Sequence, residues 1–315
     1  MNDPITVGIS SCLLGEKVRY DGGHRHDHYI TDTLGRFFSF VSVCPEVGSG
    51  MSIPREAMRL EGSPASPRLV TVKTRLDLTQ RMQDYCRGRV AALEHEELCG
   101  FIFKKNSPSS GLHRVKVYNN GMPTKNGRGL FAAEVVRQFP FLPVEEEGRL
   151  ADPVLRENFI ERVFTYARWK RFLAAGPELG DLVQFHTAHK LLVMAHSPTI
   201  YRELGGLVGN GKQLKKVELF QRYEELLMMA MALIATVKKH TNVMMHIMGY
   251  FKGALPREEK EELLELIRQY HDHLVPQVVP ITMLKHYCLK FNEPYLRGQL
   301  YLSPHPAELA LRNHV

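Results

Sequence analysis

Apolar residues in the first half of the chain fall into short dense runs, Ile5 to Ser10, Phe38 to Val43, Leu69 to Lys73, Gly100 to Lys104 and Val115 to Tyr118, set off by turn-forming residues. Runs of that length and composition predict β-strands. Between the third and fourth, Leu78, Met82, Tyr85, Cys86, Val90 and Leu93 recur at three- and four-residue spacing, which is one face of a helix and places Cys86 in a core. A shorter helix is expected from Leu130 to Phe139, stopped by Pro140. Strands alternating with helices predict an α/β domain with a mostly parallel sheet.

The periodicity stops between Phe139 and Pro153, where three prolines, three consecutive glutamates and Gly148 interrupt it. That stretch reads as a boundary, giving domains at 1–148 and 149–315. Beyond it the spacing is helical, over roughly Leu155 to Phe172, Leu179 to Ala195, Leu214 to Lys239, Val243 to Phe251, Glu258 to Leu274 and Ile281 to Phe291. The second domain is therefore expected to be all-α. Its longest uncharged apolar run, the 12 residues from Leu226 to Val237, lies between paired glutamates and paired lysines. It is too short to cross a bilayer and reads as a buried helix. No fixed-period repeat or sustained heptad seam is visible.

Composition narrows the class. A chain of 315 residues that is 44% hydrophobic and 24% charged has apolar surface enough to offset chain entropy, and it exceeds one ordinary core. The opening MNDPITVGIS has no basic segment followed by an apolar one, so no export signal is read and a cytoplasmic enzyme is expected. Five cysteines, an odd number scattered along the chain, do not make a disulfide framework and leave thiols for metal or catalysis. The net charge of +7 favours an anionic partner met by a folded patch, because the basic residues are spread over both halves.

Three segments follow predicted strands and are dense in Cys, Gly, Pro, Ser or acid: Ser10 to Gly15, Cys44 to Gly48, and Asn106 to Gly111. If the strands are parallel, these loops gather at their carboxyl edge, where open α/β sheets hold ligands. Two thiols, a carboxylate and several hydroxyls would meet there, a set suited to soft-metal or sulfur chemistry with an acid–base helper. Plainer readings stand beside this one: Cys as a small buried hydrophobe, Glu46 as a helix-start acid, and the Ser-Pro-Ser-Ser-Gly run as a turn.

Other residues carry candidate chemistry. Asp21 is a turn former or a pocket residue. The alternating His24, His26 and His28 are a zinc or nickel site or a solvated loop. The glycine-rich Gly205 to Lys212 lacks phosphate-loop spacing. Asn242, His246 and Tyr250 recur every four residues and form a stripe able to stack and hydrogen-bond an unpaired base, or else pack a half-buried helix. Arg162, Arg168, Lys170 and Arg171, with Tyr166 and Trp169, form a second basic–aromatic candidate for RNA, or else an ordinary helix with Trp169 turned inward.

The motifs then resemble a known family. Cys12-Leu13-Leu14-Gly15 with Arg19 to Gly23, Cys44-Pro45-Glu46 with Pro54-Arg55, and Lys104 to Ser109 resemble, in order, those of the thiouracil desulfurase (TudS-like) family. Asp152 to Phe159, His240 to His246 and Leu284 to Tyr287 resemble the YbgA-type helical domain. The fusion is similar to bacterial desulfidases that remove sulfur from 4-thiouridine in tRNA.

The resemblance implies a 4Fe-4S cluster on three cysteines with one iron open to the substrate's sulfur. It makes Cys12 and Cys44 ligands, Glu46 the group that activates water, and Ser107 and Ser109 orienting hydroxyls. On that reading the helical domain supplies the RNA contacts, with the Asn242, His246 and Tyr250 stripe and the face carrying Arg168 and Arg171 as its candidates and Asp21 as a candidate pocket residue. The family's usual Ser-Pro-Ser-Cys-Gly stands here as Ser107-Pro108-Ser109-Ser110-Gly111. The third ligand is thus Ser110, a harder donor than a thiol, or Cys99. Cys99 precedes a strand about 16 Å long, which places it towards the opposite sheet edge. A desulfurase of free thiouracil or thionucleosides, and a cluster-free nucleoside- or RNA-binding protein, remain the alternative readings.

Overall fold

The computed structural model describes residues 4–314. The chain divides into two compact units that meet between Asp152 and Pro153.

Unit one contains strands β1 (Ile5–Ser10), β2 (Phe38–Val43), β3 (Met58–Ser63), β4 (Ser66–Thr71), β5 (Phe101–Phe103), β6 (Val115–Asn119), β7 (Met122–Gly127) and β8 (Val144–Glu146). The first sheet has the order β2-β1-β5-β8, and every pair in it is parallel. Its two central strands, β1 and β5, are apolar runs, as strands covered on both faces must be: Val7, Ile9, Phe101, Ile102 and Phe103 are all fully buried. Helices α1 (Pro45–Gly48), α2 (Thr79–Leu93) and α3 (Leu130–Gln138) complete the unit. On α2 the residues Met82, Cys86, Val90 and Leu93 are buried, as their spacing requires.

The expected strands at 69–73 and 115–118 do not join this sheet. They lie in a second, mixed sheet of order β4-β3-β6-β7, built from two antiparallel hairpins joined by the parallel pair β3–β6. Strand β3 escapes the sequence pattern because it carries Arg59 and Glu61 among its apolar residues. Glu61 is buried, and its carboxylate accepts from Arg59 Nε and from both Arg75 Nη atoms at 2.6 Å. Arg59 comes from the same strand and Arg75 from beyond β4, and together they satisfy the buried charge.

Unit two is helical: α4 (Pro153–Ala174), α5 (Leu179–His196), α6 (Pro198–Gly209), α7 (Lys216–Ala232), α8 (Val237–Gly249), α9 (Arg257–His271), α10 (Val278–Lys290) and α11 (Pro294–Arg297). Its core includes Trp169, wholly buried and stacked on Tyr223 with ring centroids 5.2 Å apart. The single helix expected over 214–239 is two. The backbone leaves α7 at Leu233 in an extended conformation, and Thr236 caps α8 by accepting from Lys239 N. The break is held from outside: Asn158 Nδ2 donates to the carbonyls of Met231 and Leu233 at 3.1 and 3.2 Å, and a ring nitrogen of His196 lies 2.6 Å from the Leu233 carbonyl. Among the described residues no helix is long and apolar enough to cross a membrane.

Candidate functional site

The carboxyl ends of β1, β2 and β5 carry the three loops. After β1 the chain enters a turn of 3-10 helix at Ser11–Leu14, closed by Gly15 in the left-handed region at φ 93°, where glycine has no Cβ penalty. After β2, Cys44 stays extended as the cap of α1, Pro45 takes the first helical position and Glu46 follows in the first turn, an arrangement that both the ring constraint of proline and the helix dipole favour. After β5, Lys104 N donates to Ser10 Oγ at 2.9 Å and ties the third loop to the first.

That third loop needs two glycines. A Cβ on Gly111 would lie 2.4 Å from Val115 and 2.7 Å from the Ser107 carbonyl oxygen. One on Gly129 would lie 2.4 Å from the backbone carbonyl of Ser109. The Glu146 carboxylate, at the end of β8, accepts from the backbone N–H of Leu112 and His113 at 2.8 and 3.0 Å, fixing the loop from its far side.

The result is one cavity of about 440 Å³, walled by Ser10, Cys12, Cys44, Glu46, Ser107 and Ser110, with Arg19, Arg25, Arg55, Lys104 and Lys105 also lining it. A continuous polar chain runs through its wall. Ser109 Oγ donates to Glu46 Oε1 at 2.6 Å and lies 3.0 Å from Ser107 Oγ. Cys44 Sγ donates to Glu46 Oε2 at 3.4 Å. Arg55 Nη2 stands 3.8 Å from the same oxygen, while its Nη1 donates to the Val18 carbonyl at 3.0 Å. Burial pushes the Cys12 thiol up to about 11, against the pull of the Lys104 ammonium. Burial and the neighbouring Glu46 carboxylate push the Cys44 thiol up to about 12. Both are neutral, weakly nucleophilic thiols until a cation displaces their protons.

The structure brings together Cys12, Cys44, Glu46, Ser107, Ser109 and Ser110. It does not bring Cys99, whose backbone N–H donates to the Thr6 carbonyl at 2.8 Å ahead of β5, and whose thiol points to the Glu97 carbonyl at 3.6 Å. Cys99 is buried at the amino end of the sheet, and that corrects its place among the ligand candidates. Asp21 does not line the cavity. It accepts from Arg19 Nε and Nη2 at 3.2 and 3.1 Å and from Gly23 N at 3.0 Å, so it shapes the turn that presents Arg19. His24, His26 and His28 form no shared ligand set among the described residues.

In unit two, Arg168 is not a surface contact. Its guanidinium donates to His189 Nε2 at 3.3 Å, the Pro304 carbonyl at 2.8 Å and Thr165 Oγ1 at 3.2 Å, and burial lowers it to about 10. With Trp169 wholly buried, the basic–aromatic face expected on α4 does not exist as such, although Arg171 is exposed. Asn242, His246 and Tyr250 are exposed along α8. The Tyr250 ring stacks on Tyr295 at 5.2 Å, with Lys190 Nζ 4.6 Å from the Tyr295 ring centroid. Tyr295 and Lys190 were not singled out by the sequence, because they come from α11 and α5 and share no periodicity with α8.

Residues 7–147 match the family model of 2-thiouracil desulfurase, and residues 190–306 match that of a family of unknown function, DUF1722. The chain is 30% identical over 158 residues to the uncharacterized protein YbgA of Escherichia coli (strain K12), covering 50% of this chain and 94% of that protein. The chain belongs to the YbgA family, with a TudS-like domain fused to its YbgA-type domain. Among solved structures, a [4Fe-4S]-dependent thiouracil desulfidase TudS is similar at 26% identity, over 47% of this chain and 94% of that one, with a TM-score of 0.38. The family match of the TudS-like domain spans all three loops of the cavity, from Cys12 to Ser110.

Proposed function

We propose that the TudS-like domain is a desulfidase that replaces the thiocarbonyl sulfur of a pyrimidine by oxygen, releasing sulfide, and that its substrate is 4-thiouridine in tRNA. The observation that carries the reading is the convergence of two thiols, one carboxylate and three serine hydroxyls on the loops after β1, β2 and β5. The donor set fits an iron–sulfur group at two positions: Cys12 and Cys44 would hold it, with Ser110 as an oxygen donor at the third. When bound, that group supplies an open iron with affinity for the substrate's soft sulfur.

The chain's own residues account for the rest. Glu46 is placed to take a proton from the attacking water. Water oxygen bonds to the thiocarbonyl carbon as Glu46 takes one proton and passes it to the sulfur; the carbon–sulfur bond then breaks as the added hydroxyl gives up its remaining proton through Glu46 to the departing sulfur, so that the carbonyl and hydrogen sulfide are the products. Ser109 fixes one carboxylate oxygen and Arg55 stands beside the other, so the base is oriented before substrate arrives. Ser107 extends the same hydroxyl chain.

The choice of tRNA draws on the YbgA-type domain. Exposed Tyr250 stacks on half-buried Tyr295, and half-buried Lys190 sets a cation against that second ring, the combination that holds an unpaired base beside a phosphate. Lys190 also borders a shallow depression of about 650 Å³ with Tyr201, Arg202 and Lys212. The test is sulfide release by anaerobically reconstituted protein from thiolated tRNA and from free 4-thiouracil. A higher kcat/KM on tRNA, lost in Lys190→Glu with Tyr295→Ala, is expected. Equal rates on both substrates would promote the free-base reading, and absence of sulfide from either would end the assignment.

A further inference from the structure

The YbgA-type domain contains a buried polar centre that the desulfidase reading does not use. Glu157 and Glu161, one helical turn apart on α4, are both buried. One carboxylate oxygen from each and one ring nitrogen of His305 all lie within 4.8 Å of one another. Arg312 Nε donates to Glu157 Oε1 at 3.2 Å and Arg312 Nη2 to Glu161 Oε1 at 3.0 Å. A ring nitrogen of His196 lies 3.0 Å from Glu161 Oε2. Two carboxylates therefore share one guanidinium. Each carboxylate offers roughly four lone-pair positions, so these bonds orient the pair and leave acceptor capacity over.

His305 adds an independent observation. Its Nδ1 lies 3.1 Å from the Pro306 carbonyl, so that nitrogen carries the ring proton and Nε2 carries the lone pair. Nε2 is buried and has no hydrogen-bond partner among the described residues. A buried lone pair with no donor, on a ring that stands within reach of two carboxylates, is a costly arrangement that a bound cation relieves. Metal–ligand bonds of about 2.1 Å set ligand atoms of one ion about 3 to 4 Å apart, which the 4.8 Å limit on this cluster accommodates. A third observation is room: Glu157 and Glu161 also wall a cavity of about 260 Å³ with Asn158, His196, His240 and Gln277, large enough to admit an ion with its remaining waters.

We propose that Glu157, Glu161 and His305 form a binding site for one divalent first-row metal ion, with water from the adjoining cavity completing its coordination and Arg312 and His196 orienting the carboxylates. Mixed oxygen and imidazole donors suit manganese, ferrous iron or zinc rather than a soft cluster. The site is independent of Cys12 and Cys44.

The test uses the full chain carrying Cys12→Ser and Cys44→Ser, so that thiol-bound metal does not contribute, stripped with chelator and titrated with Mn²⁺ followed by electron paramagnetic resonance, and in parallel with Zn²⁺ followed by atomic emission after gel filtration. One equivalent per chain is expected for at least one of the two ions. Adding His305→Ala should weaken that binding by about tenfold or more, with an unchanged circular dichroism spectrum. Glu157→Asp, which keeps the charge facing Arg312 but shortens the reach, should also weaken it if His305→Ala fails to fold. Absence of stoichiometric binding of either ion, or parental affinity in a folded His305→Ala or Glu157→Asp chain, overturns the proposal.

Discussion

Replacing Glu46 by Gln tests the base most directly, because the two side chains have nearly the same shape. The glutamine keeps an oxygen to accept from Ser109 Oγ, now 2.6 Å from Glu46 Oε1. Its amide nitrogen then takes the place of the oxygen that accepts from Cys44 Sγ at 3.4 Å and stands 3.8 Å from Arg55. Two donors, the Cys44 thiol and the Arg55 guanidinium, then face that nitrogen, a local cost of about 1 to 3 kcal/mol, which a domain whose central strands are buried should survive. Catalysis should suffer more. A positioned general base contributes roughly 100-fold or more to rate, equivalent to about 3 kcal/mol of barrier. Because Glu46 acts on the attacking water, the loss should fall on kcat and leave KM within a few-fold. The assay is steady-state sulfide release from 4-thiouracil and thiolated tRNA, with iron content measured on the same preparations. A kcat within about twofold of wild type at normal iron content would refute the role of Glu46 as base and leave it as a helix-start residue hydrogen-bonded to Ser109.

Gly129→Ala should cost about 1 to 3 kcal/mol in the thermal transition of the TudS-like domain and most of the desulfidase activity, since the added Cβ meets the Ser109 carbonyl at 2.4 Å; wild-type activity would show that the loop yields freely. His189 is held neutral, lowered to about 3 by burial and then by Arg168, so the unfolded chain binds a proton that the folded chain refuses as pH falls below 6.5. Stability should therefore drop by about 2 kcal/mol from this group between pH 7 and pH 5, and His189→Asn should remove that slope in urea unfolding followed by the fluorescence of Trp169, the single tryptophan. Arg168→Met should lower stability without changing the salt dependence of RNA binding, whereas Lys190→Glu should reduce both affinity and salt slope; the opposite pattern would restore Arg168 as an RNA contact.

Several features follow from local sequence. The spacing of Met82, Cys86, Val90 and Leu93 makes α2 and its buried face, and the runs at Ile5 to Ser10 and Phe38 to Val43 are strands because apolar stretches bounded by turns have few other ways to bury themselves. The placement of Cys12, Cys44 and Ser107 to Ser110 directly after strands was likewise legible, because parallel strands expose their carboxyl ends together. Tertiary structure decided what pattern does not encode. Whether Leu69 and Val115 join the first sheet or a second depends on which edges pair, and the buried Glu61 in β3 is tolerated because Arg59 and Arg75 satisfy it. The break between α7 and α8 sits inside an apolar helical run and exists because Asn158 and His196 hold the carbonyl of Leu233. Arg168 and Trp169 read as a surface stripe but turn inward, since helical spacing says which residues share a face and not which face meets the core. Glu157, Glu161, His305 and Arg312 are separated by up to 155 positions. Only folding brings these groups into one desolvated place, where Arg312 offsets the charge of the two carboxylates.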